Sequence, residues 1–132
     1  MQVALGQAPS VQVFGNDYPT LDGTAVRDYI HVYDVAAAHL LALQKTGCKV
    51  YNLGSSNGFS VMQVVEAARA VTGHPVPVTC GPRRAGDPAA LVADARLARK
   101  ELGWRPAYPD LESMVESAWR WAKTHPRGYA QE

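Results

Sequence analysis

Residues able to do chemistry collect early in the chain. Between Phe14 and Asp34, FGNDYPTLDGTAVRDYIHVYD, a loop of turn-forming residues (Gly15, Asn16, Asp17, Pro19, Asp22, Gly23) runs into Arg27-Asp28-Tyr29 and then an apolar, helix-like segment. A cation between a loop and a helix start suits an anion, because helix N-termini offer free N–H groups and positive potential. The guanidinium of Arg27 fits a phosphate, since its planar fork bonds oxygens in pairs. A structural ion pair with Asp28 or Asp34 is the competing role. Residue types leave both open.

The elements that must position this stretch alternate in type. Val11–Phe14 (VQVF), Val50–Leu53 (VYNL) and Val76–Thr79 read as short strands, the last an edge strand because it contains Pro77. Met1–Leu5 reads as a scrap of helix ending at Gly6. A helix is expected from about Val32 to Lys45, stopped by Gly47, with Asp34 in its first turn to suit the dipole. Ser60 and Gln63 form a capping-box pattern for a second helix that Gly73 closes. Asp94 begins a short helix ending near Leu102-Gly103. Asp110 caps a last one of about 14 residues, with Leu111, Met114, Val115, Ala118 and Ala122 as its inner stripe. The loop GPRRAGDP, 81–88, carries Arg83 and Arg84. Such alternation gives an α/β or α+β layered domain.

A chain of 132 residues, 47% hydrophobic and 19% charged, is long enough for one domain with a real core. Its net charge of +1 and lack of charge blocks call for no nucleic acid and no anionic membrane. No apolar run approaches a membrane span, and the N-terminus lacks a signal-peptide pattern. Cys48 and Cys80 read as reduced thiols of a cytoplasmic protein. The histidines His31, His39, His74 and His125 show no zinc spacing. No glycine-rich dinucleotide turn, P-loop, Tyr-x-x-x-Lys pair or nucleophile elbow occurs. Gly54-Ser-Ser-Asn-Gly58 follows a strand and precedes a helix, but reads as a plain connecting loop.

The string VFGNDYPTLDGTAVRDYIHVYDVA (13–36) resembles UDP-glucose 4-epimerases (UDP-galactose 4-epimerases), which are extended short-chain dehydrogenases. The likeness continues through VYNLGSSNGFSVMQVV (50–65), PRRAGDPAALVADA (82–95), ELGWRP (101–106) and WRWAKTHPRGY (119–129). It implies an α/β fold: the small C-terminal substrate domain of such an enzyme over 1–132, short strands with covering helices, without the NAD-binding Rossmann half. Met1 would fall inside a family helix.

The resemblance also implies roles. Such an enzyme uses NAD to take a hydride from C4 of a UDP-sugar and return it to the other face, interconverting UDP-galactose and UDP-glucose. Gln12 and Phe14 would border the uracil, Arg27 and Arg84 would hold the diphosphate, and Asp87 would accept from ribose hydroxyls. Tyr29 would line the pocket beside Arg27. Asp28 and His31 are read as structural, Asn16 and Tyr18 as loop-forming, Arg83 as solvated or structural, and Trp104, Trp119 and Trp121 as packing. Leu91 falls near the sugar without deciding between glucose/galactose and N-acetyl forms. No catalytic residue and no bound NAD are expected in this chain alone. Its expected partners are a UDP-sugar and a separate N-terminal NAD-binding half. A stand-alone UDP-sugar-binding module, or a folded remnant, is the alternative.

Overall fold

A computed structural model describes residues 1–129. Its elements are β1 (Val11–Phe14), β2 (Val26–Arg27), α1 (Val32–Ala42), β3 (Phe59–Ser60), α2 (Val61–Thr72), β4 (Val78–Gly81), β5 (Ala90–Leu91), α3 (Arg96–Leu102) and α4 (Leu111–Thr124). The fold is mixed α/β, with two small sheets and helices packed against them.

In the first sheet β1 and β4 run parallel, from Val11 opposite Val78 to Phe14 opposite Gly81. The alternation of VQVF decides which way each residue points. Val13 is buried, while Gln12 and Phe14 share the exposed face. Beneath this sheet Ala4, Val65, Val76, Trp119 and Ala122 form one core, joining the first turn of the chain to α2 and α4. Both helices have side-chain caps. Ser60 Oγ accepts from Gln63 N at 3.0 Å, and the Gln63 side chain accepts from Ser60 N at 2.8 Å. Asp110 Oδ1 accepts from Ser113 N at 2.7 Å. Gly73 closes α2 at φ 70°, a conformation that costs glycine little.

The second sheet has the order β3-β2-β5, antiparallel to one side and parallel to the other. Ala38, Ala95, Ala98, Leu102 and Trp104 form a second core between α1 and α3. Asp34, expected to suit the helix dipole or to pair with Arg27, has a different role. Its buried carboxylate accepts from Ala107 N (2.7 Å) and Tyr108 N (3.1 Å), and its carbonyl accepts from Trp104 Nε1 (2.8 Å). One residue thus satisfies three donors and ties the loop after α3 to the start of α1.

Several boundaries differ from the sequence reading. Met1–Leu5 is a hydrogen-bonded turn, Leu5 N donating to Met1 O at 3.0 Å, and is not a helix. The strand expected at 76–79 is β4 and starts at Val78, because Pro77 has no N–H to donate; its carbonyl instead accepts from Val11 N at 2.8 Å. Helix α1 ends at Ala42, well short of Gly47, and α3 begins at Arg96, after Asp94.

The expected strand Val50–Leu53 does not form. Among the described residues, no backbone–backbone hydrogen bond joins 46–54 to any other segment. The two-residue period survives: Tyr51 and Leu53 pack on the second core, while Val50 is 83% exposed. A strand needs a partner for its ladder, and none of the described segments lies alongside. Val32 and Leu40 of α1 and Leu43 at its C-cap are likewise exposed to solvent.

Candidate nucleotide-binding site

Arg27 is placed by the second sheet. It pairs with Phe59 on one side and Leu91 on the other, so its backbone is fixed from both flanks. The ladder then stops at Asp28, whose side chain takes over the stitching. It accepts from Ser55 N (2.7 Å) and Ser55 Oγ (2.6 Å), from Ser56 N (3.4 Å) and, on the opposite flank, from Ala93 N (2.9 Å). Burial pushes the Asp28 carboxyl up, but these donors outweigh it and hold the group below its ordinary value. Asp28 is therefore the structural residue expected, and it is not the ion-pair partner of Arg27.

That partner is Asp87. Arg27 Nη1 donates to the carbonyls of Val26 (2.7 Å) and Pro88 (3.0 Å), leaving Nη2 3.7 Å from Asp87 Oδ1. Arg84 Nε donates to the other oxygen, Asp87 Oδ2, at 2.9 Å. Asp87 is held in a turn, its N–H donating to Arg84 O at 3.2 Å. One carboxylate thus lies between two guanidinium groups that are 57 positions apart in the sequence.

Arg84 also brings in the first sheet. Its guanidinium carbon lies 4.9 Å from the centroid of the Phe14 ring, a cation–π contact. Phe14 is 40% exposed, so an aromatic face is open at the end of β1. Gln12 lies two residues back on the same face, and its amide reaches over Gly81: a Cβ added there would sit 2.7 Å from Gln12 Nε2. Tyr29 is half-buried; burial pushes its phenol up and the Arg27 charge draws it down. The geometry thus links Phe14, Arg84, Asp87 and Arg27 through direct contacts, with Gln12 and Tyr29 at the two ends.

The chemistry of this group is anion and aromatic recognition. Arg84 and its carboxylate are a largely exposed pair of the kind worth only ~0.2–1 kcal/mol, so a doubly charged ligand able to bond both arginines can displace it. The 54–58 loop, which links the start of the 50–65 tract to α2, is occupied by a structural contact. In the 54–58 loop the N–H groups of Ser55 and Ser56 already go to Asp28, and a Cβ at Gly54 would collide with the Asp28 carboxylate. No group of three or more His, Cys, Asp or Glu able to hold a metal occurs among the described residues, and no helix there is long and apolar enough to cross a membrane.

Other readings are settled by position. His31 is the N-cap of α1, its Nδ1 accepting from Tyr33 N at 3.0 Å. Tyr18 is buried inside its loop, and Trp104 and Trp119 are core, whereas Trp121 is 43% exposed. For two residues the sequence reading named a role without a partner. Leu91 is the neighbour of Arg27 on β5, a ladder too short to show a period. Arg83 makes specific contacts with Asp17 and Tyr18. A groove of about 820 Å³ lined by Met1, Ile30, Val32, Tyr33, Met114 and Trp121 contains none of the six candidate ligands; it continues the uncovered apolar side of α1.

Comparison with known proteins gives the family. Residues 1–118 match the family described as GDP-mannose 4,6 dehydratase. The chain belongs to that family. Its relatives include UDP-glucose 4-epimerases of Halalkalibacterium halodurans, 55% identical over 136 residues and covering 100% of this chain, and of Homo sapiens, 48% identical over 97% of it. The chain spans 41% and 38% of those proteins, about two-fifths of their length. Among solved structures, a UDP-glucose 4-epimerase superposes with a TM-score of 0.93 at 51% identity, covering 98% of this chain and 41% of its own. The epimerase of Bifidobacterium longum, in complex with NAD+ and UDP, gives 0.90 at 46% identity, covering 97% of this chain and 39% of its own. The fold is thus that of the C-terminal part of such epimerases.

Proposed function

We propose that this chain is the UDP-sugar-binding portion of a UDP-glucose 4-epimerase. It would work with an NAD-binding half in the interconversion of UDP-galactose and UDP-glucose. The observation that carries the reading is the meeting of Phe14, Arg27, Arg84 and Asp87, drawn from two segments far apart in the sequence, in a fold shared with an epimerase in complex with NAD+ and UDP. Phe14 covers the uracil face and Gln12 lies at its edge. Arg27 and Arg84 bond the diphosphate. Asp87, an acceptor-only group, turns to the ribose hydroxyls once the phosphates take the arginines. Tyr29 and Leu91 face the sugar end beside Arg27.

The division of labour has a physical basis. A sugar that must present both faces to one hydride carrier is best held through its non-reacting nucleotide. NAD, when bound by its own half, supplies the hydride chemistry; the residues here bind and orient. The unpaired 46–54 tract and the uncovered face of α1 support a covering polypeptide, and the relatives' greater length is consistent with one.

The test is turnover. The purified chain with UDP-galactose and NAD is expected to give no UDP-glucose. Addition of a polypeptide carrying the glycine-rich turn and the Tyr-x-x-x-Lys pair is expected to give it. Epimerisation by the chain alone overturns the reading. A stand-alone, non-catalytic UDP-sugar module is the second reading, favoured by one observation: the core beneath the β1–β4 sheet is built within this chain. Tight UDP binding with no effect of an added NAD-binding half would select it.

A further inference from the structure

Arg83 and Arg84 are adjacent, yet their side chains engage different groups. Arg84 goes to Phe14 and Asp87. Arg83 goes to the loop after β1: its Nε donates to Asp17 Oδ1 at 2.7 Å, its Nη2 donates to the Asp17 carbonyl, and its guanidinium carbon lies 4.3 Å from the centroid of the Tyr18 ring. Tyr18 is a firm platform. It is buried, and its N–H donates to Gly23 O at 2.8 Å.

Gly15 makes this approach possible. A Cβ there would lie 2.6 Å from Arg83 Cγ and 2.6 Å from Tyr18 Cε2, and the backbone sits at φ 84°. Its N–H donates to Gly81 O at 2.9 Å, holding the two loops together where the sheet ends. The 82–88 loop is then pinned at both ends, by Arg83 on Asp17 and by the Pro88 carbonyl on Arg27. Arg84 and Asp87 lie between the pins.

We propose that Arg83 is a positioning residue for nucleotide binding: with Asp17 and Tyr18 it forms a latch that holds Arg84 against Phe14. The proposal rests on the UDP-binding reading above. Without the latch, the 82–88 loop must be ordered at the moment of binding, and affinity falls by that cost.

Calorimetric titration of the chain with UDP separates this from a simple charge effect. Arg83→Ala is expected to weaken binding about tenfold. Arg83→Lys, which keeps the charge and loses the fork, is expected to weaken it about threefold. Asp17→Asn is decisive in sign. Removing a negative charge near an anion site should tighten binding if only the field matters, whereas loss of the latch weakens it about two- to threefold. Asp17→Asn should add nothing in the Arg83→Ala background. Tighter or unchanged binding by Asp17→Asn, or full affinity in Arg83→Lys, overturns the latch.

Thermal melts check folding; if Arg83→Ala does not fold, Arg83→Lys and Asp17→Asn decide. If the unaltered chain gives no heat with UDP, the UDP reading fails, and the latch is judged by amide exchange. Faster exchange at Gly15 and Tyr18 in Arg83→Lys, with α4 unchanged, supports it; equal rates overturn it.

Discussion

The two cores of this molecule make an instructive pair. The first, around Val65, Val76 and Trp119, is covered by a two-stranded sheet and by α2 and α4, and Gln12 and Phe14 lie on that sheet's exposed face. The second, around Ala98 and Trp104, is as well buried at its centre. Its outer side is different: Leu43 and Val50 are more than 80% exposed and the 46–54 backbone is unpaired. Helix α2 has polar residues on its outer face, while α1 is apolar on nearly every side. A helix apolar all round is one that is covered on both sides. The contrast separates a core whose outer side is polar from one whose outer side is apolar and, among the described residues, without backbone pairing.

Disrupting the second core should have the largest effect. Trp104→Ala removes a fully buried indole and its hydrogen bond to Asp34 O, and should cost ~3–5 kcal/mol in a denaturant titration. Asp34→Ala strands two backbone donors and is expected to cost ~2–4 kcal/mol on the same assay. If the two cores are independent, near-ultraviolet signals from Trp119 should survive both changes. Their loss in step would show one cooperative unit.

Smaller changes sharpen the other side. Ser60→Ala removes the capping box of α2 and should cost ~1 kcal/mol. Asp28 gives a pH signature. Its carboxyl is held below its ordinary value of 3.8, so its stabilisation is fully present above that value and is lost as pH falls through the depressed folded value. An acid titration of stability should therefore flatten at its low-pH end in Asp28→Asn; an unchanged profile would remove Asp28 as the stitch beside Arg27.

Much of the first region was legible in the sequence. The alternation of VQVF set β1 and the face shared by Gln12 and Phe14, and Ser60, Gln63 and Gly73 marked both ends of α2. The second region was less legible because its signals are long-range. The two-residue ladders β2, β3 and β5 are too short to show a period, and VYNL has a strand's pattern but no ladder partner among the described residues. Nothing local says that Arg27 pairs with Asp87, that Asp34 holds the loop after Trp104, or that neighbouring arginines go to different loops. The roles of Gln12, Phe14, Arg27, Tyr29, Arg84 and Asp87 came from resemblance; their proximity is what the fold adds.

The central claim is that these residues form one wall of a UDP site. Its most direct test is a two-dimensional amide spectrum of the chain titrated with UDP. The account predicts weak, saturable binding with a Kd on the order of 1 mM, about −4 kcal/mol, and shifts concentrated at Phe14, Arg27, Arg84 and Asp87 that Arg84→Ala abolishes. A folded chain whose spectrum does not move at several times that concentration, or shifts confined to the α1 groove, would contradict it.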